Sequence, residues 1–161
     1  MSINSATQHI CTMIKKGGNT LPQDFDPNVE IPKLVGRHIK SFETEVLAIA
    51  GGPTEEGTRA VRLYSNRVAR KLSTLAPIHI RVDAEEKFTV AASMLNKKTF
   101  VFGVAKRSTR EHTKKTVLEH VKADGTVETK TLRTRVMADE PKPSTGVSIA
   151  LRRLIEQTIQ T

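Results

Sequence analysis

Apolar residues first recur with helical spacing. Ile3, Ala6, Ile10, Met13 and Ile14 fall on one face of a short helix. Gly17-Gly18 supplies its stop, and Lys15 and Lys16 sit where positive charge favours a helix C-terminus. Residues 17–32 hold Pro22, Pro27, Pro32 and three acids, and are expected to form an extended connector. Val35, Ile39, Phe42, Val46 and Ile49 then predict a second amphipathic helix, weakened at its start by Gly36 and ended by Gly51-Gly52-Pro53. A third helix comes next. Thr54 is its expected cap, Glu55 and Glu56 suit its first turn, and Val61, Tyr64, Val68, Leu72 and Leu75 form its buried stripe, with Pro77 as the stop.

The period then changes from helical to alternating. Residues 78–82 alternate, as do Phe88, Val90, Ala92 and Met94, and then Phe100, Phe102 and Val104, with Asn96-Lys97 as the turn between the last two runs. In residues 117–136, Asp124-Gly125 predicts a two-residue type I′ hairpin turn, a register that sets Glu119 against Lys130 and Leu118 against Thr131. Residues 139–143 read as a polar, proline-broken loop. A closing helix from about Ser144 or Thr145 is expected to bury Val147, Leu151, Leu154, Ile155 and Thr158. The plan is α+β: N-terminal helices, an antiparallel sheet of about five strands with an Asp-Gly hairpin, and a C-terminal helix packed on the sheet. The expected division is a helical arm and Pro-rich connector over residues 1–56 and a basic α+β domain over 57–161.

Charge changes this picture most. The chain of 161 residues carries 26 lysines and arginines against 17 acids. The first 56 residues hold five basic residues and seven acids, so the excess lies wholly in residues 57–161. A domain with that field attracts polyanions at long range, whereas a surface made only for solubility mixes its signs. One cysteine, Cys11, excludes an internal disulfide and a cysteine-rich metal site, and the chain shows no signal pattern and no apolar run near bilayer length. On these features the protein is expected in the cytoplasm, or in a particle assembled there.

Enzyme chemistry finds little support. Gly52 and Gly57 have the spacing of a phosphate-binding loop, but Thr58 stands where the lysine is required, and Glu55 and Glu56 would repel phosphate. His9, His38, His79, His112 and His120 reach no metal-ligand spacing with each other or with Cys11, so no metal and no cofactor is expected. Lys98 to Phe102 has two of the alternate aromatics with which an RNA-recognition motif stacks bases. It lacks the glycine at 99 and the third ring, and Phe100 and Phe102 are expected in the core.

The expected site is a set of cations. Residues 106–115 contain Lys106, Arg107, Arg110, Lys114 and Lys115 with one acid and three hydroxyls, between two strands. Arg59, Arg62 and Arg70 project from the polar face of the third helix, and Arg133 and Arg135 share a face of the last strand. Such a distribution fits a non-enzymatic protein that holds nucleic acid by its phosphates and positions or packages the strand. RNA is expected over DNA, because the cations lie on a sheet and a loop and no helix–turn–helix or zinc finger is visible. The alternative is a self-assembling viral structural subunit (coat, nucleocapsid or matrix), in which the acidic arm meets the basic remainder of a neighbour in a homo-oligomer.

Overall fold

Local capping chemistry sets the helix starts. The computed structural model describes residues 2–83, 87–106, 112–136 and 142–161, with the side chains of 112–114 and 134–136 also outside the description. Helix α1 (Ile3–Lys16) begins where Ser5 N–H donates to Ser2 Oγ, and ends at Gly17. Helix α2 (Pro27–Ile49) is capped by Asp26, whose carboxylate accepts from Asn28 N–H at 3.0 Å. The extended connector expected over 17–32 therefore stops at Asp26. Pro27 opens the helix, at a position where a missing N–H is harmless, and Pro32 lies inside it. Helix α3 (Glu55–Leu72) is capped by Thr54, which accepts from Gly57 N–H at 3.0 Å. It ends before Leu75, which is buried in the segment beyond.

Strands β1 (His79–Asp83), β2 (Phe88–Leu95) and β3 (Thr99–Lys106) form an antiparallel sheet in that order. Helix α4 (Pro143–Gln160) lies across it. Contact is backbone-close. A Cβ on Gly103 of β3 would stand 2.0 Å from the Ala150 carbonyl oxygen, so only glycine fits there. Val147, Leu151, Leu154, Ile155 and Thr158 of α4 are all buried, as the periodicity predicts. The four aliphatic ones share one cluster with Ile10 and Ile14 of α1, Ile31 and Val35 of α2, and Val68 and Leu72 of α3. The far end of α2 departs from expectation. Val46 is only half-buried and Ile49 is 83 % exposed.

The sheet buries the face opposite to the one expected. Thr89, Ala91, Ser93, Leu95, Val101 and Ala105 point toward the helices, while Phe100 and Phe102 are 56 % and 44 % exposed, with Met94 and Val104 beside them. Alternation identifies two faces but not which is covered. Here the covering helix approaches so closely that small residues take its side.

Both outer edges of this sheet are tied to side chains. On β1, Asn19 Nδ2 donates to the Ile78 carbonyl at 2.7 Å and Asn19 Oδ1 accepts from Ile80 N–H at 2.7 Å. On β3, Gln157 Oε1 accepts from Phe102 N–H at 2.6 Å, and the Arg153 guanidinium donates to the Val104 carbonyl.

Five strands are present among the described residues, in two sheets rather than one. Strands β4 (His112–Val121) and β5 (Val127–Val136) make a separate hairpin. By its contacts the chain divides into Met1–Lys106 with Lys142–Thr161, and Arg107–Pro141. The hairpin turn differs from the type I′ turn expected. Lys122 N–H bonds to Thr126 O and Gly125 takes φ of 84°, so three residues (Ala123, Asp124, Gly125) form the loop. Asp124 fixes it by accepting from Thr126 N–H at 3.0 Å and from the Thr126 hydroxyl. One added loop residue shifts the pairing by one, so Leu118 faces Lys130 and Glu119 faces Thr129.

Candidate nucleic-acid interface

Helix α3 holds the first group of expected cations. Arg59, Arg62 and Arg70 are exposed on it. Eleven residues separate the first from the last, or about 16 Å of helix at 1.5 Å per residue. None of the three makes an ion pair with a described residue, the ion pairs among these being Lys122–Glu128 and Arg152–Glu156. Two neighbours in the sequence are otherwise engaged. Lys71 Nζ donates to the Ile159 carbonyl at 2.8 Å, where it closes the C-terminal end of α4. Arg67 lies over the Tyr64 ring at 5.7 Å, and that ring stacks on Phe42 with centroids 3.7 Å apart. His38 Nε2 and Tyr64 Oη complete this contact at 2.6 Å, and burial pushes the Tyr64 hydroxyl pKa up, partly offset by Arg67.

The second group is described only in part. Lys106 ends β3 and is exposed. Arg107 and Arg110 lie outside the described residues, and Lys114 and Arg135 are described as backbone only, in β4 and β5. Lys115 and Arg133 are exposed and directly opposite one another across the hairpin. That juxtaposition results from the three-residue turn. Under the two-residue turn Lys115 would have faced Thr134. Facing cross-strand side chains have Cβ atoms about 5 Å apart, where like charges repel. An anion between them removes that penalty. Helix α3 packs on α1, α2 and α4 rather than on the sheet, so its arginines and the residues of the sheet's open face occupy different layers of their unit.

A third group forms around Lys106, which sequence reasoning named without the neighbours the sheet gives it. His79 and Arg81 of β1 pair with Ala92 and Val90, and Lys106 pairs with Phe88, so these charged and titratable residues share the open face with Phe100 and Phe102. Lys97 and Lys98 are exposed in the adjoining turn, where Asn96 and Lys97 both have positive φ. The available signal was the size asymmetry of β3. Its small residues, Gly103 and Ala105, alternate with its large ones.

Cys11 and His9 have structural partners. Cys11 is buried, its thiol donates to the Pro27 carbonyl at 3.4 Å, and burial holds the thiol pKa above its usual value, chiefly by desolvation. His9 Nε2 lies 3.0 Å from the Leu75 carbonyl and donates to it. Among the described residues no three His, Cys, Asp or Glu side chains converge as a metal site, and no helix is long and apolar enough to cross a membrane. The fold is an α+β assembly of one helix-backed three-stranded sheet and one separate hairpin, with exposed cations on both units. No family model, curated protein or solved structure matches the chain.

Proposed function

We propose that this protein is a non-enzymatic nucleic-acid-binding protein that holds the phosphate backbone, RNA in preference to DNA, and positions or packages the strand. The observation that carries this reading is the facing pair Lys115–Arg133, exposed and without an acidic partner among the described residues. Two cations held in register work against the hairpin unless a polyanion lies across them. The exposed stripe Arg59, Arg62 and Arg70 supports the same reading. RNA is preferred because, among the described residues, the named helical cations all lie on α3 and no pair of helices carries them as a helix–turn–helix would. The test is binding of single-stranded RNA across a salt series. Lys115→Ser with Arg133→Ser should weaken binding about tenfold and reduce the log–log salt slope by about 1.4, given roughly 0.7 per phosphate contact. Its melting temperature should stay level or rise, since a repulsion is removed. Affinity that does not vary with salt sinks the proposal.

One observation favours a second reading, a self-assembling structural subunit of a viral particle that forms a homo-oligomer in the cytoplasm. The hairpin exposes Val117, Leu118, Val121, Val127 and Leu132, and none of its described side chains is buried. A two-stranded ribbon is marginal alone and gains stability by lying on something else. A light-scattering mass equal to one chain at every concentration, with and without RNA, removes this reading.

A further inference from the structure

The open face of the three-stranded sheet is an apolar surface that no described element of its own unit covers. Four cross-strand rows make it up. From one end they are Asp83–Phe88–Lys106, Arg81–Val90–Val104, His79–Ala92–Phe102 and, on β2 and β3 alone, Met94–Phe100. The two rings stand next to one another with centroids 5.5 Å apart and planes inclined by 28°. Both are substantially exposed, which a core residue is not.

The edges of this unit's sheet are partly taken by side chains, while its face is exposed. Strand addition needs unpaired N–H and C=O groups. Asn19 occupies Ile78 and Ile80 on β1, and Gln157 and Arg153 occupy Phe102 and Val104 on β3. Around the apolar centre stand Arg81, Lys106, Lys97 and Lys98, with His79 in Phe102's row. Among the described residues the acid of the face is Asp83, in the end row with Lys106 and three rows from Phe100, or about 20 Å at roughly 6.8 Å for each pair of strand residues. A ligand that fits must bring flat apolar surface to the rings and negative charge to the rim. A second copy of the chain laid face to face would instead bring cations to cations.

We propose that this face binds single-stranded nucleic acid, with unpaired bases stacked on Phe100 and Phe102 and phosphates held by Arg81, Lys97, Lys98 and Lys106. The proposal rests on the phosphate-binding reading and adds to it a preference for unpaired over duplex strands. Aromatic platforms accept any base, because every base has a π face. The cations set the salt dependence and the rings set the requirement for bases.

The experiment measures fluorescence anisotropy with a mixed-sequence RNA oligonucleotide and with an abasic phosphodiester of the same length and charge. The parent protein should bind the RNA more tightly. Phe100→Ala with Phe102→Ala should lose about tenfold or more in RNA affinity, bind the abasic strand as the parent does, and keep the parent's salt slope. Phe100→Leu with Phe102→Leu keeps apolar bulk without a π face, and should lose most of the same affinity. The leucine pair carries the test if the alanine pair fails to fold. RNA affinity equal to the parent's in the leucine pair overturns the proposal. So does an alanine pair that weakens both ligands equally while a parental dimer becomes monomeric, which would make the face an interface between copies. A parent that binds both strands equally, with a steep salt slope, overturns this inference alone. A parent that binds neither overturns the phosphate-binding reading with it.

Discussion

Gly103→Ala tests how closely helix and sheet approach. The new methyl would lie 2.0 Å from the Ala150 oxygen, 2.6 Å from the Leu154 nitrogen and 2.9 Å from the Arg153 Cβ. Carbon atoms in good contact stand about 3.5–4.0 Å apart. Two of the three obstacles are helix backbone, so relief requires moving α4 itself and not rotating a flexible side chain. Motion of α4 disturbs Val147, Ala150, Leu151 and Leu154, all fully buried, and strains the bonds by which Gln157 and Arg153 hold the β3 edge. Over-packing costs about 1–3 kcal/mol, and a backbone obstacle puts this case near 3. At about 2–4 °C per kcal/mol for a chain of this size, the melting temperature should fall by roughly 6–12 °C. Gly36→Ala is the internal control. Its Cβ meets nothing within 4 Å in the middle of α2, and removing a helical glycine should add about 0.5–1 kcal/mol. Both variants are read by calorimetry, with hydrogen exchange at the β3 amides. A Gly103→Ala protein that melts with the parent would mean that α4 does not lie in backbone contact with β3, and the assignment of the buried sheet face would fail with it.

Asn19→Ala should leave the Ile78 carbonyl and the Ile80 N–H without partners, lowering stability by about 2 kcal/mol or more and speeding exchange of the Ile80 amide. Unchanged exchange there would show that the β1 edge is closed by something else. Asp124 should titrate below the usual aspartate range, first through the Thr126 hydroxyl and then through the Thr126 N–H. A folded value below the unfolded one means that this support for the turn is complete above the unfolded value and is lost as pH falls through the folded value. An NMR titration midpoint at or above the ordinary aspartate value would refute that, and Asp124→Ala should remove the dependence.

The sequence by itself determined what is set within a few residues along the chain. Thr54 caps α3 because its hydroxyl needs only the N–H three residues on. The i, i+3, i+4 spacing of Val147, Leu151, Leu154, Ile155 and Thr158 marks the buried stripe of α4 whatever it packs against. The α+β class, the strand-forming runs and the exposed arginines of α3 were legible for the same reason. Tertiary structure decided the rest. Whether Phe100 or Val101 faces the core depends on which side α4 covers, and that is settled by the contact at Gly103, whose partner lies 47 residues away in the sequence. Lys71 and Arg70 look alike as neighbouring cations, yet only Lys71 reaches the end of α4. The facing of Lys115 and Arg133 turned on one residue in a loop, because a strand's side chains alternate and a shift of one exchanges every partner. Residue type marks a position as charged or apolar, and long-range packing settles what it faces.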